Sequence, residues 1–102
     1  MHDTLQHQLL HHVITIVEQA RPLAATIAHR DRDLGSQLTR ALNSVGLNIA
    51  EAFGSKAGNS RLRFQSARGS LYEVQAALKL AAAWGHVSTE RCQPVLQALD
   101  SL

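Results

Sequence analysis

The sequence predicts an all-α fold, a bundle of four helices, on three observations. In the second half of the chain the apolar positions fall at Phe64, Ala67, Leu71, Val74, Leu78 and Ala81. Those steps alternate three and four, the seam of a helix packed against other helices. Hydrophobic residues make up 45 % of the chain, dominated by Ala and Leu, while aromatic residues make up only 4 %. Nowhere do apolar and polar residues alternate with period two over a useful length, as strands require.

The first helical pattern covers residues 4–28, with Leu5, Leu9, Val13, Ile16, Ala20, Ala24 and Ile27 on one side. Asp3 or Thr4 is placed to cap it, with a side-chain oxygen that accepts from an orphan N–H. Pro22 removes one backbone hydrogen bond. It predicts a bend rather than a chain reversal, because the apolar spacing resumes beyond it. The run AHRDRD at 28–33 has no apolar periodicity and reads as an exposed connection. Asp33 then caps a second helix over 34–53, which buries Leu34, Leu38, Leu42, Val45, Ile49 and Ala52 or Phe53. Gly46 sits mid-helix, where it costs about 1 kcal/mol relative to Ala, and predicts close approach of a neighbouring helix.

GSKAGNS at 54–60 is loop by composition. Asn59 or Ser60 caps a third helix over 60–84, and Gly85 ends it. Ser88 or Thr89 opens a short fourth helix in which Pro94 is tolerated near the start. Val95, Leu96, Leu99 and Leu102 give it an apolar face. Short links between four helices favour an up-down-up-down bundle.

At 102 residues the chain reads as one domain, 1–102. A chain of this size buries about 60 % of its unfolded surface, so the core is thin and self-association is a common supplement. One cysteine, Cys92, excludes an internal disulfide and suits a reducing compartment. No charged-then-apolar leader opens the chain, and no run of about 18 apolar residues occurs. The expectation is a cytoplasmic protein with no membrane role.

The formal charge of +2 is unevenly spread. Residues 1–53 carry four basic side chains (Arg21, Arg30, Arg32, Arg40) against five acidic ones (Asp3, Glu18, Asp31, Asp33, Glu51). Residues 54–102 carry six (Lys56, Arg61, Arg63, Arg68, Lys79, Arg91) against three (Glu73, Glu90, Asp100). The span 56–68 holds four positive charges and no negative one.

Four motifs occur in order: Ser36-Gln37-Leu38-Thr39-Arg40-Ala41, Asn48-Ile49-Ala50-Glu51, Arg63-Phe64 with Ala67, and Gly69-Ser70-Leu71-Tyr72-Glu73. Together they resemble the small four-helix-bundle family of intervening-sequence proteins. Its members are encoded within inserts of bacterial large-subunit rRNA genes or stand free, and it includes the accessory variability determinant of diversity-generating retroelements. The match covers about half of the chain directly. Ala52 stands where the family usually has Gly, and Gly46 where Pro is common, departures that touch the geometry of helix two more than chemistry. The resemblance implies a left-handed bundle that assembles into a homo-oligomeric ring, commonly a pentamer, with a positively charged surface. The retroelement members bind a reverse transcriptase together with nucleic acid.

Asn48, Glu51, Ser70 and Glu73 are the polar residues of these motifs. Glu51 follows Asn48 by three, as Glu73 follows Ser70, so each pair shares a helix face. Read as an enzyme, Glu51 and Glu73 become an acid/base pair. Read structurally, they satisfy each other, loop N–H groups, or Arg63 and Arg40 across the bundle, and fix register. No nucleophile or metal signature accompanies them, so the structural reading is preferred, with no enzymatic activity and no cofactor expected.

Lys56, Arg61, Arg63 and Arg68 are the functional candidates. Arg61 and Arg68 are seven apart, nearly on one helical face, with Lys56 on the preceding loop. Such a cluster neutralises phosphates, and a ring would multiply it. The plain alternative is a solvated face or intersubunit salt bridges. Phe64, placed in the core by its spacing, is not expected to stack on bases. His7 and His11, with His12 and His2 nearby, have the i, i+4 spacing of a metal pair, but two histidines without a third fixed ligand read as an exposed terminus. Tyr72 and Trp84 read as rim or interface residues, and Cys92 as an inert, partly buried thiol. The expected function is a non-enzymatic oligomer presenting a basic surface to RNA or DNA, or serving a nucleic-acid enzyme. The alternative is a protein-binding scaffold with no nucleic-acid role.

Overall fold

The computed structural model of the chain describes residues 2–102, with side chains from Thr4 onward. It consists of α1 (His2–Arg30), α2 (Arg32–Phe53), α3 (Ala57–Ala83) and α4 (Thr89–Asp100), with no strand among the described residues. α1 packs against α2 and α4, and α3 packs against the same two, so the four helices surround a shared core. Ile16, Ile27, Leu38, Val45, Val74, Leu78 and Val95 form its most deeply buried part. No described helix is long and apolar enough to cross a membrane.

The predicted stripes of α1 and α2 are the buried ones. Val13, Ile16, Ala20 and Ile27 are buried on α1, with Leu23 added, whereas Leu5 is exposed. On α2, Leu34, Leu38, Leu42, Val45, Ile49 and Ala52 are buried, with Ala41 added. α1 starts at His2, so Asp3 and Thr4 lie in its first turn rather than before it; the side chain of Asp3 is outside the described residues. α1 runs unbroken through Pro22, whose carbonyl accepts a hydrogen bond from Thr26 Oγ1 at 3.0 Å.

The connection expected at 28–33 contracts to one residue. Asp31, with an extended backbone, is the cap of α2 in place of Asp33, and its Oδ1 accepts from Leu34 N at 3.0 Å. Asp33 instead lies in the first turn of α2, where a carboxylate favours the positive end of the helix dipole. So tight a joint forces the two helices together beside Gly35. A Cβ there would stand 2.6 Å from both Cα and Cβ of Ala28. Gly46 does not have that role: a Cβ on it would meet Val13 Cγ1 at an ordinary 3.5 Å.

The second loop is also shorter than expected. α3 begins at Ala57, so Asn59 and Ser60 lie inside it, and Lys56 occupies the cap without a side-chain hydrogen bond. Ser60 ties the turn back instead, its Oγ donating to the carbonyl oxygens of Ala52 at 2.6 Å and Ser55 at 3.1 Å. Along α3, Ala67, Val74, Leu78 and Ala81 are buried and Leu71 is half-buried.

Phe64 departs from the predicted seam: it is 40 % exposed, its ring edge-on to Phe53 with centroids 5.7 Å apart. The cause is the length of α4. Asp100 at its last turn accepts from Gln75 Nε2 at 3.2 Å. Phe64 lies eleven residues back along α3 from Gln75, about 16 Å beyond the end of α4.

Gly85 (φ 78°) ends α3 as expected, and His86 N donates back to Ala81 O at 2.9 Å, a C-cap that satisfies an orphan carbonyl. Ser88 caps α4, its Oγ accepting from Arg91 N at 3.2 Å. Cys92, Val95 and Leu99 face inward. Burial pushes the Cys92 thiol above its ordinary pKa, partly opposed by Arg91. The exposed indole of Trp84 stacks beside His86, whose Nε2 lies 3.6 Å from Asp31 Oδ2 and links the α3–α4 turn to the α1–α2 joint.

Candidate functional site

Two groups of polar residues on α2 and α3 matter here, one turned between the helices and one turned outward. The first is a hydrogen-bonded chain. Ser70 Oγ bonds Ser44 Oγ at 2.7 Å, and Asn48 Nδ2 donates to Ser44 Oγ at 3.0 Å and to Ser44 O at 2.9 Å. Arg63 then donates to Asn48 Oδ1 at 3.5 Å and pairs through Nε with Glu51 Oε2 at 2.9 Å. Asn48, Glu51 and Ser70 are therefore brought together with Arg63. Ser44, which the sequence reading passed over, is the link between them. Its signal was the i, i+4 step to Asn48, which puts both on one face of α2.

Glu73 does not join this chain. Seven residues forward on α2, from Ser44 to Glu51, correspond to seven residues back on α3, from Ser70 to Arg63. Glu73 thus lies ten residues along α3 from the partner of Glu51, about 15 Å away along the helix. The structure does not bring the two glutamates together, and Glu73, like Arg40, is exposed. Among the described residues no three His, Cys, Asp or Glu side chains are grouped to hold a metal.

The outward group is the basic span. Lys56, Arg61, Arg63 and Arg68 are all exposed. Arg63 is engaged by Glu51, whereas Lys56 and Arg61 stand at the start of α3. The first turn of that helix carries no acidic residue, so the helix dipole adds to their charge. Arg68 Nε donates to Tyr72 Oη at 3.3 Å. Beside these residues lies a cleft of about 580 Å³, open where α4 stops. Its walls come from all four helices, with Leu9, Ile49, Phe64, Leu71 and Leu99 below and Arg68, Tyr72, Gln75 and Asp100 at the rim.

The sequence model of a family described as 23S rRNA-intervening sequence protein matches residues 7–102, nearly all of α1 and the whole of the other three helices. The chain belongs to that family. No curated protein and no solved structure matches it. In this chain the motifs that carried the resemblance have two visible tasks. Asn48, Glu51, Arg63 and Ser70 join α2 to α3, while Ser36, Gln37 and Arg40 point outward near the start of α2.

Proposed function

We propose that this chain is a non-enzymatic, self-associating bundle protein that offers the Lys56–Arg68 face to RNA or DNA. One observation supports the reading above the others. Lys56 and Arg61 are exposed at the start of α3, whose first turn has no carboxylate, and Arg68 is exposed on the same side two turns further along. Cations so placed attract phosphates and release counterions on binding. The family's description, with its reference to 23S rRNA, points in the same direction. The helices run up-down-up-down in a left-handed bundle, and copies close into a ring, a pentamer, that repeats the basic face around its rim. In the cytoplasm the ring acts on nucleic acid directly or as an accessory to a nucleic-acid enzyme such as a reverse transcriptase.

The test is fluorescence anisotropy with a labelled structured RNA and a DNA duplex at low and high salt. Binding is expected to weaken steeply with salt. It is expected to be lost when Lys56, Arg61 and Arg68 are each replaced by Glu, with circular dichroism unchanged. Folded protein that binds neither probe at low salt refutes the proposal and leaves a second reading, a protein-binding scaffold. Exposed Ile14 and Leu47, which line a largely apolar groove of about 510 Å³ between α1 and α2, favour that alternative.

A further inference from the structure

The cleft left open by the short α4 joins the basic span along a single face of α3. Arg61, Phe64, Arg68, Tyr72 and Gln75 succeed one another in steps of three, four, four and three, which places all five on one side of the helix. Cation and aromatic ring thus alternate from Arg61 to Tyr72, over about 16 Å, with Gln75 one turn beyond. The order matters, because a single strand presents phosphates and bare base faces in alternation, whereas a duplex hides its base faces. Sequence spacing assigned Phe64 to the core; its 40 % exposure makes it available instead.

We infer that this face binds single-stranded nucleic acid, with an unpaired base seated in the cleft against Tyr72 and Phe64 and the flanking phosphates on Arg61 and Arg68. The inference rests on the nucleic-acid reading proposed above and specifies its ligand. Tyr72 is 55 % exposed. The Arg68 guanidinium carbon is 6.0 Å from the ring centroid, at the outer edge of cation–π range, and its nearer contact is with the phenol oxygen. Arg68 therefore steadies Tyr72 from the hydroxyl end and leaves ring surface to stack.

At the rim of the cleft the polar groups away from Arg68 are few and complementary to a base edge. Gln75 Nε2 already donates to Asp100 Oδ1 at 3.2 Å, so the Gln75 amide oxygen and the second Asp100 carboxylate oxygen are the groups offered to an exocyclic amino group. Because Asp100 closes the end away from Arg61, the strand's charge is drawn toward the start of α3 and only a neutral base enters. Aromatic stacking tolerates every base, so the site is selective for unpaired strand more than for sequence.

The experiment compares a labelled single-stranded RNA, its DNA counterpart and an RNA hairpin of equal charge, all titrated by anisotropy. The single strands carry 2-aminopurine at one position. Wild type is expected to bind both single strands at least tenfold more tightly than the hairpin and to quench 2-aminopurine. Tyr72→Ala is expected to weaken single-strand binding by roughly tenfold or more, to abolish the quenching and to leave hairpin binding unchanged. Tyr72→Phe, which keeps the ring, is expected to restore both. Phe64→Leu, which preserves the apolar contact with Phe53, is expected to lower single-strand affinity alone.

If Tyr72→Ala binds all probes as wild type does, while Arg61→Glu and Lys56→Glu lose them, the basic face stands and the base-binding cleft is refuted. If wild type binds none, both fall. If Tyr72→Ala changes the sedimenting mass while RNA affinity is unaltered, the cleft is a contact between copies and the inference is overturned.

Discussion

At the scale of the residue, the chain from Ser70 through Ser44 and Asn48 to Arg63 and Glu51 has parts of unequal value. The Ser44–Ser70 bond lies between packed helices, with Ser70 buried. The Arg63–Glu51 pair is about half exposed on both sides, 48 % and 53 %. A half-exposed ion pair is screened by solvent and contributes roughly 0–1 kcal/mol. Glu51→Gln is therefore expected to keep the fold and lower Tm by a few degrees at most, and Glu73→Gln to change it by less. Differential scanning calorimetry of the two single variants and the double checks this. A double variant that unfolds would mean that the glutamates couple through contacts other than Arg63. That Asn48 and Glu51 share a face of α2 was legible in the sequence from their i, i+3 step, whereas Ser70 joins them through Ser44 and not through its own i, i+3 step to Glu73. The failure of Glu73 to join them was not legible, because shared spacing on two helices says nothing about their relative height.

At the scale of the element, the glycines show how backbone approach is set by joints rather than by propensity. Gly35 stands where the one-residue link presses α2 against Ala28, and any added Cβ meets backbone that has nowhere to move. Gly35→Ala is expected to destabilise by about 1–3 kcal/mol, the usual range for overpacking, and to lower Tm by roughly 5–20 °C. Gly46→Ala is expected to do the reverse and stabilise by up to about 1 kcal/mol, since its Cβ has ordinary contact with Val13 and the helix gains propensity. Thermal denaturation of both variants reads the difference in sign. If both destabilise alike, the assignment of the close contact to Gly35 fails. Helix number, order and buried faces were legible from the three-and-four spacing of residues such as Leu38, Leu42 and Val45. The joints were not. Asp31 and Asp33 are equally good caps by type, and only packing of the preceding turn selects Asp31. Likewise the seam through Phe64 names a face of α3 but not where its neighbour stops.

At the scale of the molecule, the chain is a rod of 43 × 21 × 17 Å. A helix with its side chains is about 10–12 Å across, so this cross-section has room for a single layer of core, and each helix turns much of its surface to solvent. That shape explains why Ile14, Leu47, Leu62 and Leu80 are exposed at once. Under the proposed self-association, further copies cover these side chains, and stability then follows concentration by mass action. Tm is accordingly expected to rise by several degrees for each tenfold increase in protein, as association adds roughly 1 kcal/mol per protomer over that range. Ile14→Asp combined with Leu47→Asp alters only exposed positions along the α1–α2 groove. This pair is expected to preserve helical circular dichroism, reduce the sedimenting mass to that of one chain and flatten the concentration dependence. A wild-type Tm that ignores concentration, with a sedimenting mass of one chain, would show that the rod is stable alone. Its basic face would then meet nucleic acid as a single copy, without the multiplication that a ring supplies.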